Sequence, residues 1–263
     1  MRSIRTLPFV LEAATLIVVV GFVYLMLFTL EREVRYQYVQ RQYADLEKIE
    51  LTIKMFLDDR RRALESVSEN GPDGLAVSGE SFSDIVQLDS RLQITRILRN
   101  EPGSRIFEGY VYSEKSIGPL RAQLEASRIA FSPIVRSPEN EELGIYALQK
   151  QPDGFLLVRI GLDQISRYLL RISEIMGATI IVASPDGFVY VCTDPTLSLS
   201  VVPEADGDIV RIDRAYLLTS RRSAQLNQNL IVLAPRDDVL AVLDSFKVYY
   251  PLFIIAILLI IGG

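Results

Sequence analysis

The chain has 263 residues, of which 49% are hydrophobic and 23% charged, with a formal net charge of −5 and a mean hydropathy of +0.23. It contains no His, which excludes a Ser-His-Asp triad, a Cys-His pair, a His-bearing zinc site and a phospho-accepting histidine. A single cysteine, Cys192, excludes an intramolecular disulfide and any CxxC motif, and the acidic balance argues against a nucleic-acid surface.

In chain order, the first feature is Ala13 to Leu30, a run without a charge. A bilayer core takes about 20 apolar residues in a helix, so residues 13–30 are predicted to form a first transmembrane helix. Arg2 and Arg5 precede it with no acid before Glu12, which places residues 1–12 in the cytoplasm by the positive-inside rule and the segment after the run outside. The flank FTLEREV offers no small-residue cleavage site, so the run reads as an uncleaved anchor. A second apolar run, Val248 to Gly263, is entered through Lys247, Tyr249, Tyr250 and Pro251 and predicts a second transmembrane helix over 247–263. The sequence ends inside that run, which predicts a longer protein whose output domain follows Gly263.

From Glu31 the chain carries no Gly or Pro until Gly71, which predicts a stalk helix over 31–70. Val39, Leu46, Ile49, Ile53 and Phe56 are spaced by seven, three, four and three, a heptad-like seam broken by Gln42. The stripe reads equally as a dimer contact or as a face packed on its own domain. Asp58-Asp59-Arg60-Arg61-Arg62 reads as a solvated face with local ion pairs.

NGPDG at Asn70 to Gly74 ends the stalk. A short helix is predicted around Ser81 to Leu88, then five strands: LQITRIL, RIFEGYVYS, AFSPIVRS, LGIYALQKQ and GFLLVRIGL, with the helical stretch GPLRAQLEAS after the second. QISRYLLRISEIMG has helical spacing and a Gly177 cap. Strands ATIIVAS, FVYVCTD, VRIDRAYLLTS and NLIVLAP follow, with a turn at Pro185-Asp186-Gly187, and DDVLAVLDSF is predicted as a last helix running into the second apolar run. Cys192 falls on one of these strands and reads as a small buried residue. The predicted class is α/β in the α+β sense: two PAS-like antiparallel-sheet units on a long N-terminal stalk helix, flanked by two transmembrane helices. The membrane-distal unit spans 71–163 and the membrane-proximal unit 164–246.

The segments AFSPIVRSPENEELGIYALQKQPDGFLLVRIGLDQISRYL and IIVASPDGFVYVCTDP carry a resemblance. They are similar to the last three distal strands with the crossover helix, and to the first proximal hairpin, of the double Cache extracytoplasmic sensor domains of bacterial transmembrane receptors. The resemblance covers residues 31–246. It implies ligand sensing outside the inner membrane, a pocket in the distal unit, and an output domain of diguanylate cyclase, histidine kinase or chemoreceptor type. Family members that bind amino acids carry an arginine followed by a Trp-Tyr pair, and an aspartate after the last distal strand, where Asp163 stands here. This chain has no Trp, and Ile134 follows FSP where an aromatic is expected.

From residue type, Tyr110 and Tyr112 alternate on one strand and share a face, while Arg121 and Arg128 flank the next helix. They predict a ligand site for a small anionic molecule, with Asp163 a further ligand residue or an N-cap of the helix beginning at Gln164. No catalytic residue, metal site or cofactor is predicted, since metal clusters, phosphate loops and nucleophile elbows are absent from the sequence. The expected partners are the small-molecule ligand, the lipid bilayer and a second copy of the chain. The alternative to a receptor is a structural membrane protein such as a polysaccharide co-polymerase, which also has two membrane helices around an extracytoplasmic α/β domain.

Overall fold

The computed structural model describes residues 7–70, 82–100, 102, 106–136, 143–197, 200–202 and 206–241. The second apolar run, the NGPDG break after Asn70 and the end of the last predicted helix lie outside the described residues. The chain divides into a smaller compact unit (residues 1–44, 205–219 and 234–263) and a larger one (residues 45–204 and 220–233).

Helix α1 (Leu7–Asn70) is a single 64-residue helix that includes the whole predicted stalk. Pro8 sits in its first turn, where a missing N–H costs nothing because that donor has no partner within the helix. In the larger unit its buried residues Leu46, Ile49, Ile53, Phe56, Leu57 and Leu64 recur at helical spacing and form one apolar face. The seam therefore faces the chain's own core, with Ile49 at 0% and Ile53 at 2% exposure, and leaves a partner helix no surface there. In the smaller unit, Leu30, Val34, Tyr38 and Val39 pack against Leu217, Ala234, Val239 and Leu240. Gln42, which interrupts the seam, is buried and accepts a 2.5 Å hydrogen bond from Thr219 Oγ1. Nearer the start of α1 the apolar side chains have no cover: Ile17 is 71%, Phe22 66% and Phe28 60% exposed. Among the described residues, no helix is long and apolar enough to cross a membrane.

The first sheet comprises β1 (Asp84–Leu88), β2 (Ile94–Arg99), β3 (Ile129–Arg136), β4 (Leu143–Gln151) and β5 (Gly154–Gly161), in the antiparallel order β2-β1-β5-β4-β3. Two predicted elements are corrected. The short helix expected around Ser81 to Leu88 is strand β1, because DIVQL sits between two neighbours and its backbone is satisfied on both edges. Among the described residues 106–113, the strand expected over RIFEGYVYS does not form. Gly109 at φ 93° breaks the extended run, and only Val111 bridges, to Gln93. The count of five survives because β1 takes the missing strand's place. The β4–β5 turn needs Gly154, where a Cβ would come within 2.0 Å of the Leu88 carbonyl oxygen.

Helix α2 (Glu114–Gln123) precedes β3, and α3 (Leu162–Met176) follows β5. Helix α3 ends at Gly177, in the left-handed region at φ 63°, as the sequence predicts. Its start differs from the prediction: Gly161 is the N-cap and Asp163 lies inside the first turn, where its charge suits the positive end of the helix dipole. The second sheet has strands β6 (Thr179–Ala183), β7 (Val189–Cys192), β8 (Asp208–Arg211), β9 (Ala215–Arg222) and β10 (Asn229–Pro235), in the order β7-β6-β10-β9-β8. VRIDRAYLLTS, predicted as one strand, is the β8–β9 hairpin, because Asp213 Oδ1 accepts from Arg214 N and holds a tight turn. Cys192 is half-buried on β7, and burial pushes its thiol pKa up, which disfavours the thiolate. Residues 236–241 are helical, in agreement with the start of the last predicted helix.

Candidate ligand-binding site

The first sheet, α2 and the segment before α2 enclose a cavity of about 410 Å³ in the larger unit. Its size falls within the range of small-molecule pockets. A bulge shapes one wall. The β3–β4 register shifts between Phe131 and Ile134, where Pro133 has no N–H to donate. Ser132 Oγ substitutes for the missing ladder contact, accepting from Tyr146 N at 2.9 Å and donating to the Pro133 carbonyl at 2.6 Å. Ser132 and Tyr146 both line the cavity.

An aromatic chain leads into the site. Phe107 and Tyr110 stand edge to face at 5.7 Å between ring centroids, Tyr110 and Tyr112 at 5.2 Å, and Tyr112 and Tyr146 at 6.5 Å. Although residues 106–113 are irregular, Ile94 N donates to Tyr110 O and Tyr112 N to Leu92 O, so the backbone runs along β2 and sends both tyrosines into the same apolar cluster. Ile117, Leu120 and Val135 complete the apolar walls, and Arg136 is the charged residue among the lining side chains. An arginine fork beside aromatic walls can orient a carboxylate or phosphate and exclude water from the rest of the molecule.

Of the residues singled out in the sequence, the structure brings Tyr112 to the cavity wall and places Tyr110 directly behind it. Arg121, Arg128 and Asp163 are not among the lining residues. Arg121 is exposed on α2 with its guanidinium 5.8 Å from the Phe155 ring centre. Arg128 is also exposed, and its carbonyl accepts from Lys150 N at 3.4 Å. Asp163 pairs on the surface with Arg167 at 2.8 Å. Sequence reasoning missed Tyr146 and Arg136, because one sits mid-strand and the other at a strand end, and no local pattern marks either as cavity-facing. It also missed Arg159, buried on β5 and paired with Asp84 of β1. Among the described residues, no group of three His, Cys, Asp or Glu side chains is placed to hold a metal ion.

No protein-family model matches the chain, and no curated protein matches it. Solved structures do. The ligand-binding domain of Mlp24 with asparagine aligns at a TM-score of 0.53 and 14% identity, over 81% of this chain and 99% of that one. The ligand-binding domain of the Campylobacter jejuni chemoreceptor Tlp3 in complex with L-norvaline aligns at 0.58 and 7%, over 79% of this chain and 94% of that one. The sensor domain of the V. cholerae histidine kinase DctB aligns at 0.54 and 11%, over 76% and 98%. At these identities the likeness establishes the fold: two antiparallel five-stranded sheets with a long N-terminal helix, as in double Cache sensor domains.

Proposed function

We propose that this chain, which has the fold of the double Cache sensor domains, senses a small anionic molecule outside the cell membrane and passes the signal along α1. The observation that carries the reading is the cavity of the first sheet, walled by Tyr112 and Tyr146 and carrying Arg136. The structural neighbours support a small-molecule ligand that carries a carboxylate, since Mlp24 holds asparagine and Tlp3 holds L-norvaline in domains of this fold. The uncovered apolar side chains of Ile17, Phe22 and Phe28 support a membrane anchor at the start of α1, because a patch of that kind is costly in water. The burial of Ile49 and Ile53 supports a pairing of two α1 helices through another face, such as the one where Leu51 and Met55 are exposed at 58% and 60%.

Signalling requires only that the ligand prefer one of two arrangements, a coupling of about 1 to 3 kcal/mol in typical cases. A thermal-shift screen of organic acids, phosphates, amines and amino acids on the full chain in detergent tests the site. A ligand at a hundred times its Kd is expected to add about 2.7 kcal/mol of stability. Arg136→Ala and Tyr146→Ala are each expected to abolish that gain. Protection that survives both substitutions would refute the assignment.

A further inference from the structure

A second cavity of the larger unit lies outside the sheet, in a cleft of about 620 Å³ between α1 and α3. Arg60 and Arg62 line it from α1, and Arg167 and Arg171 from α3, against the two acids Asp58 and Asp59. In a chain whose net charge is −5, this is a local excess of positive charge. The acids are already engaged: Asp58 pairs with Arg61 at 3.3 Å and Asp59 with Arg60 at 3.1 Å. Arg62 and Arg171 make no ion pair or hydrogen bond with any described residue, and both are exposed at the mouth of the cleft.

The floor is preorganised. The rings of Phe56 and Tyr168 lie 5.5 Å apart, and the Arg60 guanidinium sits 4.6 Å over Phe56, a cation held in place by the ring and by Asp59. One wall carries a buried acceptor, Gln164 Oε1, that receives no hydrogen bond from any described residue. A shielded acceptor left without a donor is unfavourable, and a ligand hydroxyl entering the cleft would satisfy it.

We propose that the cleft between α1 and α3 is a second binding site, separate from the sheet cavity, for a small dianion that carries a hydroxyl, either a phosphate monoester or a hydroxy-dicarboxylate. Arg62 and Arg171 grip the two charges from opposite helices, Arg60 offsets the charge of Asp59 so that this acid does not repel the ligand, and Gln164 accepts the hydroxyl.

Calorimetric titration of the full chain in detergent with glycerol 3-phosphate, inorganic phosphate, tartrate and succinate tests this. Glycerol 3-phosphate binding more tightly than inorganic phosphate assigns the site to phosphate esters, and tartrate binding more tightly than succinate assigns it to hydroxy-dicarboxylates. The affinity of the better ligand is expected to fall at least tenfold in the Arg62→Gln/Arg171→Gln double variant, whose two positions are exposed and leave the core untouched. Gln164→Leu is expected to erase the preference for the hydroxylated ligand, and Arg136→Ala in the sheet cavity is expected to leave binding unchanged. The proposal is overturned if none of the four binds at millimolar concentration, if the double Gln variant binds as the parent does, or if binding is lost with Arg136→Ala instead.

Discussion

Arg159 Nε donates to Asp84 Oδ2 over 2.6 Å, with the two side chains only 2% and 5% exposed. They are cross-strand partners on β5 and β1, and Tyr146 stands opposite Arg159 on β4. Two residues along each strand are Leu157, Val86 and Leu148 of the apolar cluster, so by strand alternation the ion pair lies on the same face as the cavity. The sheet thus carries a neutralised charge pair beside its cavity.

Because the pair is buried, removing one partner strands the other. Arg159→Leu or Asp84→Leu alone is expected to cost about 3 to 5 kcal/mol, and the double substitution to Leu markedly less. Chemical denaturation followed by circular dichroism checks this. A double variant as unstable as either single one would show that the pair contributes more than charge neutralisation.

The buried face of α1 makes a second prediction. Ile49→Ala and Ile53→Ala are each expected to lower stability by about 2 to 5 kcal/mol, the range for deleting a buried aliphatic side chain. Replacing both with Asp is expected to remove the thermal transition of the larger unit. Retention of the transition with a change only in oligomeric state, read by sedimentation, would return the stripe to a dimer contact.

A third prediction concerns alkaline pH. Tyr43 donates to Asp206 at 2.5 Å, and this hydrogen bond, with burial and the carboxylate charge, pushes the phenol pKa up to about 12. In the unfolded chain the phenol ionises near its ordinary value of about 10. The folded state therefore holds the proton more tightly, and the stabilisation is fully present below about pH 10 and lost as pH rises through about 12. Tyr43→Phe is expected to flatten the decline in stability across that window, measured by urea denaturation at stepped pH. An unchanged slope would mean that the contact does not persist in solution.

The cap of α3 can be tested with little ambiguity. Gly177 adopts φ 63°, and a Cβ added there would meet nothing within 4 Å. Gly177→Ala is therefore expected to cost about 1 to 2 kcal/mol from backbone strain alone. Gly177→Asn is expected to cost less, since Asn tolerates the left-handed region. Equal losses in both variants, by thermal denaturation, would point to a clash instead.

Much of the architecture was legible in the sequence because it rests on local patterns. The absence of Gly and Pro from Glu31 to Asn70 announced the long helix, and Gly177 announced where α3 stops. Runs such as LGIYALQKQ and NLIVLAP declared their strands through apolar and β-branched content. The alternation of Tyr112 with Tyr110 pointed to a residue that lines the cavity, although the alternation belonged to an irregular segment rather than a strand.

What the tertiary structure decided is non-local. DIVQL became a strand because β2 and β5 lie on either side of it, and no residue within the segment carries that information. The choice between a dimer seam and a core face was open in the spacing of Leu46, Ile49 and Ile53, since a helical stripe looks the same whatever covers it, and it is packing within the larger unit that buries these three side chains. Arg136 and Tyr146 reached the cavity, while Arg121 and Arg128 stayed on the surface, for a similar reason. Which face of a strand or helix looks into a cavity depends on the register of partners distant in sequence, and that register is fixed by burying one continuous apolar face.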